Sequence, residues 1–316
     1  MNKKYEVSII VCTYNSKWEK LRRTLLMALN QKNVAFEIVI SDDGSAVFNR
    51  NKVIQLLESN EFHDYTIIQN EENVGTVRNS LTALKQAAGE YSFLTSPGDM
   101  LYDDTVLADF YKYAKENRLK ILFGRAAYYS YEEKLRIHKI LNSPDRLWVY
   151  KNKVPSVFQK YNIFNGSKIV GATFFRETKT AIQYFEQILP FTVYVEDATS
   201  ALLMAINNER ITFFDRYIVW YEYGTGISTA KNEKWNQIIR NEINNVSDYI
   251  FSQYDNDRVV AYLRDKGRRK RYQILYKYPD LILMNLIIKV SRKKMTGGDS
   301  KQFEIIENML DKEKIL

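Results

Sequence analysis

One cysteine, two histidines and five prolines among 316 residues leave several chemistries without their parts. A single thiol, Cys12, makes no intramolecular disulfide and no zinc site needing two thiolates, and it suits a reducing compartment. His63 and His138 stand too far apart in sequence for an H-x3-H or H-E-x-x-H metal site, and a histidine-centred hydrolase is equally disfavoured. No stretch approaches the ~20 apolar residues of a membrane span. The longest, Leu281 to Val290, is broken by Asn285 and Lys289. The first residues run into a short apolar strand with no signal-peptide core, which predicts a protein that is not exported. G-x-G-x-x-G does not follow the first strand and G-x4-G-K-[ST] is missing, which argues against dinucleotide and P-loop sites. With thiols and imidazoles so scarce, carboxylates are the groups left to carry chemistry.

The chain is 45% hydrophobic and 27% charged, ordinary values for a folded protein, and its length fits one large α/β domain or such a domain with a tail. The formal charge of +8 is localised. Residues 258–294 carry twelve Lys or Arg against Asp265 and Asp280, so the rest of the chain is nearly neutral.

Hydrophobic periodicity alternates between strand and helix. Residues 7–12 form a nearly continuous apolar run, the pattern of a strand buried on both faces. A helix over about 17–31 follows, with Asn15 and Ser16 as caps. Strand signals recur at 36–41, 65–69, 91–94 and 120–123, with helices at 52–58, 76–88 and 104–117 between them. Residues 128–165, which hold Pro144 and Pro155, read as irregular. Periodicity returns at 168–175 and 178–187, Glu196-Asp197 opens a helix to about 207, and strands at 210–214 and 217–223 precede a Gly224-Thr225-Gly226 turn. This βαβ rhythm predicts an open sheet with helices on both faces and a ligand crevice at the strands' carboxyl ends. Thr13-Tyr14-Asn15, Asp42-Asp43 and Ser96-Pro97-Gly98-Asp99 each follow a strand and should converge there. Each element also has a plainer reading: Asp42 to Ser45 as a turn, Arg78 as a solvated helix residue, Glu196-Asp197 as helix caps, Gly171-Ala172-Thr173 as packing.

Four blocks in order, Val7 to Asn15, Glu37 to Ser45, Asn73 to Asn79 and Ala88 to Tyr91, resemble the family 2 glycosyltransferases, with the likeness running from about Glu6 to Ser228. That resemblance implies an inverting, nucleotide-sugar-dependent enzyme with the α/β GT-A fold, a Rossmann-like, mostly parallel open sheet. It implies that Thr13, Tyr14, Asn15, Asp42 and Asp43 line the nucleobase and ribose pocket. Arg78 matches a basic position near the base and pyrophosphate, Asn79 is its helical neighbour, and Ser96 and Asp99 lie on the donor side. Asp197 matches the general base that takes the acceptor's proton, with Glu196, Gly171 and Ala172 on the acceptor side. The family's metal motif, Asp-x-Asp-Asp, reads Ser96-Pro97-Gly98-Asp99 here. The expectation is a divalent cation, Mn²⁺ or Mg²⁺, held weakly through Asp99. The alternatives are backbone and water ligands, or cationic side chains that stabilise the leaving group without metal. Residues 221–229 resemble the loop that closes the domain, lacking the histidine of many relatives, and form a candidate glycine-rich lid.

The expected organisation is a GT-A domain over 1–230 and a helical, basic extension over 231–316. The resemblance makes a UDP-sugar the default donor, a dTDP-linked deoxysugar an open alternative, and a glycan or lipid-linked glycan hydroxyl the acceptor, in surface polysaccharide synthesis in the cytoplasm. Arg268-Arg269-Lys270-Arg271, with Tyr272, Ile274, Leu275 and Tyr276 and the apolar 281–288, suits an anionic membrane surface at the inner face of the plasma membrane. The plainer reading is a helix packed on the domain or on a second subunit of a homo-oligomer, with a solvated basic face, and nucleic acid is disfavoured because no recognised motif accompanies the charge. The rival from another class is a catalytically weak nucleotide-sugar-binding or scaffold protein that keeps the fold.

Overall fold

The computed structural model describes residues 5–130, 135–136, 144, 146–151, 153–224, 232–266, 268–290 and 304. Its first half follows the βαβ rhythm: β1 (Val7–Thr13), α1 (Trp18–Leu29), β2 (Phe36–Asp42), α2 (Arg50–Ser59), β3 (Tyr65–Gln69), α3 (Thr76–Gln86) and β4 (Tyr91–Thr95). The short β5 (Met100–Leu101), α4 (Val106–Asn117), β6 (Ile121–Ser130), β7 (Leu135–Arg136) and α5 (Ser156–Phe164) come next. Then β8 (Phe174–Glu177), α6 (Thr178–Ile188), α7 (Glu196–Ile206) and β9 (Ile211–Glu222) lead, among the described residues, to four C-terminal helices. These are α8 (Glu233–Gln253), α9 (Arg258–Lys266), α10 (Arg271–Lys277) and α11 (Pro279–Val290).

One sheet runs in the order β3-β2-β1-β4-β8-β6-β9-β5, with β7 paired to β6. β3, β2, β1 and β4 are mutually parallel, as right-handed crossovers through α1, α2 and α3 require. β8 then runs antiparallel to both β4 and β6, while β9 runs parallel to β6. The apolar residues of β1 explain its central place: Val7, Ile9 and Val11 feed one core and Ile10 the other, so both faces are covered.

Four local expectations change. Asn15 and Ser16 do not cap α1, whose N-cap is Lys17. Asn15 instead adopts φ +45° and accepts a hydrogen bond from the Ala46 N–H. The stretch taken as irregular holds the end of β6, a 3-10 turn at Leu147–Tyr150, and α5, which Pro155 introduces because its missing N–H is no loss there. The two strands expected at 210–223 are one, β9, interrupted by a bulge against β6. Gly124 makes that bulge possible, since a Cβ there would stand 2.7 Å from the Arg216 carbonyl. Gly171–Thr173, which resembles the family's small-residue strand beside the acceptor cleft, is a 3-10 turn.

The C-terminal helices are packed into the body. Val246, Ile250, Val259, Tyr262, Tyr278 and Leu281 are buried in the same apolar cluster as Phe123, Phe174 and Leu203. A half-buried ion pair, Lys160 to Asp257 at 2.6 Å, joins α5 to the residue preceding α9. The boundary expected at residue 230, the Thr225 to Thr229 part of the candidate lid, and Arg292, Lys293 and Lys294 lie outside the described residues.

Candidate functional site

Strand direction alone gathers the site at one edge. β1, β2 and β4 end there at Thr13, Asp42 and Thr95. β8 starts there, because Phe93 pairs antiparallel with Phe175, so the Gly171–Thr173 turn lies just past the end of β4. β6 and β9, parallel to each other and antiparallel to β8, bring Glu222 to the same edge.

The Thr13 to Asn15 and Asp42 to Ser45 loops are tied together. The Asp43 N–H donates to the Thr13 carbonyl at 2.8 Å, and the Asn15 N–H donates to Ser45 Oγ at 2.7 Å. Asp42 is fully buried and accepts from the Ser45 N–H and hydroxyl, so its carboxylate holds its own turn. Asp43 accepts from the Val74 and Gly75 N–H groups, at 2.9 and 3.1 Å, and from the Asn70 amide. It thereby fixes the glycine-bearing loop that starts α3, where Gly75 takes φ +88°. Asn79 donates to the Ser41 carbonyl and accepts from the Ser41 hydroxyl and Asn70, which secures α3 to β2. Of the expected donor residues, Tyr14 and Arg78 present exposed side chains, whereas Asp42, Asp43 and Asn79 act within the fold.

A second cluster surrounds the former metal motif. Ser96 is exposed, and Gly98 takes φ +106°. A Cβ on Gly98 would overlap Glu222 Oε2, so the carboxylate of Glu222 fills the space that a side chain at position 98 would occupy. Asp99, 8% exposed, accepts from the Glu222 N–H at 3.0 Å; burial, with Glu222 alongside, pushes its carboxyl up to about 8. Thr24 of α1 donates to the Asp99 carbonyl at 2.7 Å and accepts from the Gly98 N–H at 3.0 Å, while the Tyr129 hydroxyl donates to the Gly98 carbonyl. Lys20 Nζ lies 2.9 Å from Glu222 Oε2.

These residues do not fit a divalent cation. Such an ion needs ionised, accessible oxygens. Asp99 is buried and accepts from the Glu222 N–H, Gly98 offers no side-chain ligand, and the buried Glu222 Oε2 already faces the Lys20 ammonium. Among the described residues, no three His, Cys, Asp or Glu side chains are grouped to hold a metal. The expectation of a cation held through Asp99 therefore lacks its donor set, and position 98 explains why: the motif's second carboxylate is replaced by one from β9 that arrives with its own counter-ion.

The third cluster is the acidic pair that opens α7. Glu196 and Asp197 are both partly buried. A Cβ on Gly171 would come 2.8 Å from Glu196 Oε1 and 3.4 Å from Asp197 Cβ, so the 3-10 turn lies directly against the pair. Ala172 is buried beside it. Burial, then the neighbouring Asp197 carboxylate, raises the proton affinity of Glu196. Burial also raises Asp197, and the Ala198 N–H, at 2.6 Å, opposes that rise. The buried Arg176 guanidinium, lying over the Phe174 and Phe185 rings, favours the charged form of both. Cys12, whose thiol burial pushes up to about 12, feels both Glu196 and Asp43, which places the first and third clusters around it.

Sequence reasoning missed Lys20, Thr24, Arg176, Glu222 and Glu242, the last described below. One signal was available for Glu222: a glycine in place of the motif's aspartate implies space for another group. A cavity of about 500 Å³ lined by Glu6, Thr105, Asp109 and Lys112 lies away from all three clusters, beside the start of β1.

A family model described as Glycosyl transferase family 2 matches residues 8–177. Residues 1–349 of S. aureus TarS, in complex with UDP-GlcNAc, superpose with a TM-score of 0.54 at 16% identity, over 88% of this chain and 81% of that one. The mannosyltransferase PcManGT from Pyrobaculum calidifontis, in complex with GDP-Man and Mn²⁺, superposes with a TM-score of 0.54 at 13% identity, over 98% of this chain and 81% of its own. At these identities the likeness is one of fold. No curated protein matches.

Proposed function

Because the chain belongs to glycosyl transferase family 2, and is thereby a nucleotide-sugar glycosyltransferase, we propose that it moves a sugar from a nucleoside diphosphate carrier, UDP foremost, to a hydroxyl of a glycan or lipid-linked glycan in surface polysaccharide synthesis. The observation that carries this reading is the acidic pair of α7 lying against Gly171, at the edge where β1, β2 and β4 end. A carboxylate with raised proton affinity is a stronger base than an exposed one, provided it is ionised at the working pH. In this reading Asp197 takes the proton of the acceptor hydroxyl while that oxygen bonds to the anomeric carbon. The bond from that carbon to the diphosphate oxygen breaks on the opposite face, which inverts the centre. Tyr14 and Arg78, with exposed side chains beside the loops that Asp42, Asp43 and Asn79 hold, meet the nucleotide. Ser96 completes the donor side.

No step is assigned to a metal. Of the alternatives drawn from the sequence, cationic side chains fit best, with Lys20 as the charge nearest the former motif and Arg78 at the exposed start of α3. Preorganised positive charge there offsets the charge that develops on the departing diphosphate.

The test is Asp197→Asn. Transfer should fall ~10²-fold or more, while nucleotide-induced thermal stabilisation stays at the wild-type level. Near-normal turnover would remove Asp197 from the mechanism. Binding without hydrolysis or transfer by the wild-type protein, with every donor tried, would favour the scaffold alternative.

A second reading concerns the C-terminal helices. No helix among the described residues is long and apolar enough to cross a membrane. Yet Tyr272, Leu275 and Tyr276 of α10 and Leu283, Leu286 and Val290 of α11 are between 55% and 92% exposed. With Arg271, Lys277 and Lys289 on the same two helices, this surface suits anionic lipid, holding the protein at the cytoplasmic face where a lipid-linked acceptor would sit. Flotation with phosphatidylglycerol vesicles should retain the protein at low salt and release part of it at high salt. Equal binding to neutral vesicles, or a dimer in solution that masks the effect, would overturn the assignment.

A further inference from the structure

The loop that delivers the acidic pair is held from both sides. On one side the Val77 N–H of α3 donates to the Val193 carbonyl at 2.9 Å, and Gly75 leaves room for the Val193 side chain. On the other side lies α8. Its Glu242, 7% exposed, accepts through Oε2 from the Tyr194 N–H at 3.0 Å, the Val195 N–H at 2.9 Å and the Thr192 hydroxyl. The Asn245 amide donates to the Phe191 carbonyl. Trp235 meets the Tyr194 ring edge-on at 5.1 Å, and Tyr249 packs on Phe191 at 4.7 Å. Val195 is the N-cap of α7 and lacks a capping side chain, and Glu196 is the next residue. One carboxylate oxygen therefore gathers three donors immediately before the first turn of α7, where a negative charge also complements the helix dipole.

We propose that Glu242 is a positioning residue: from the C-terminal extension it fixes the entry of α7 and thereby the placement of Glu196 and Asp197. This rests on the assignment of Asp197 as the base. Removing the buried carboxylate leaves the Tyr194 N–H without its acceptor and the Val195 N–H with only the Thr192 hydroxyl, at 3.2 Å, and the loop must move to find water. A small misplacement of a catalytic group is costly, because reaction needs near-attack geometry. The extension that sequence periodicity sets apart from the catalytic domain is, on this view, part of its active site.

Glu242→Ala and Glu242→Gln in the full chain test the proposal. The alanine variant should lower kcat by about tenfold or more while KM for the nucleotide sugar stays within about twofold. Glutamine, whose amide oxygen accepts the same N–H groups, should restore most of kcat. Amide hydrogen exchange over residues 194–198 should speed up in the alanine variant and not in the glutamine one, while exchange in β1 is unchanged. A normal kcat in the alanine variant, or a fall matched by an equal rise in KM, would overturn the proposal. So would unaltered exchange over 194–198. If the wild-type protein neither transfers nor hydrolyses any nucleotide sugar, the catalytic reading fails on its own account, and the exchange data still decide whether Glu242 positions α7.

Discussion

Two pairs of adjacent acids stand at the same edge of the sheet, and the fold treats them in opposite ways. Asp42 and Asp43 are surrounded by donors: Ser45 holds one, and Val74, Gly75 and Asn70 hold the other. Glu196 and Asp197 are desolvated beside each other, with the Ala198 and Gly171 N–H groups only opposing the rise that burial imposes on Asp197. A carboxylate satisfied by N–H groups fixes shape. One held near apolar groups and a like charge keeps its appetite for a proton. Sequence motifs cannot separate the two cases, since both read as two acids at the start or end of an element.

The sharpest way to break that contrast is by pH. If the α7 pair is the basic one, the pH profile of kcat/KM rises along a limb set by that pair, at a pH above the ~4 of an ordinary carboxyl. Glu196→Gln removes the like charge, so the limb should move to lower pH while the plateau rate falls by roughly tenfold. A limb that stays in place would show that the charge of Glu196 does not set the proton affinity of the pair. On the other pair the expected loss is in folding. Asp43→Ala leaves the Val74 and Gly75 N–H groups without their acceptor, at a cost of about 3 kcal/mol, and the melting temperature should fall by roughly 6–12 °C. An unchanged melting temperature together with lost nucleotide binding would reverse the assignment and make Asp43 a ligand-binding group.

Asp99 offers a smaller and signed test. Its folded proton affinity, pushed up to about 8 by burial, exceeds that of the unfolded chain at about 4. Stability from this group is therefore fully present below pH 4 and is lost as the pH rises through 8. The charged groups facing it are Glu222 and Lys20, with the Tyr128 and Tyr129 hydroxyls nearby. Asp99→Asn carries no proton to lose and can still accept the Glu222 N–H. It should melt a few degrees above wild type at pH 8, about 1 kcal/mol, with the gap closing by pH 4. A gap of the opposite sign would mean that Asp99 is ionised in the folded protein.

Much of the sheet's first half was legible because local and global signals agree there. β1 to β4 are apolar runs bounded by turns, and Val77, Leu81 and Leu84 keep helical spacing. The second half was less legible. β9 carries Asp215 and Arg216 at its bulge, and the break in hydrophobicity mimics a loop, although Gly124 on β6 lets the strand continue. α5 hides behind Pro155, which looks like a breaker and serves as a helix start. At the site, the positions of Asp43 and Asp197 at one edge follow from strand order. What Asp42, Asn79 and Asp99 bond to does not, because it depends on partners such as Ser45, Ser41 and Glu222. Glu242 was beyond reach for the same reason: nothing in a helical Arg-Asn-Glu-Ile run shows that its acid faces a loop 47 residues earlier.

The last prediction concerns the smallest effect, none at all. Glu222 and Lys20 occupy the region where relatives would be expected to carry a cation, and Lys20 places an ammonium 2.9 Å from Glu222 Oε2. Chelator in excess should leave transfer within about twofold of its starting rate, because the charge that offsets the leaving diphosphate is already covalently part of α1. The comparison becomes sharper with Lys20→Met. That variant exposes Glu222 without a counter-ion and opens a site with an unpaired carboxylate, to which Mn²⁺ should now bind. Loss of activity in Lys20→Met that Mn²⁺ partly restores, and chelator again removes, would show that the lysine stands where a metal could. If instead chelator silences the wild-type enzyme, the ammonium is a structural partner of Glu222 only, and a cation must reach the diphosphate through groups other than Asp99.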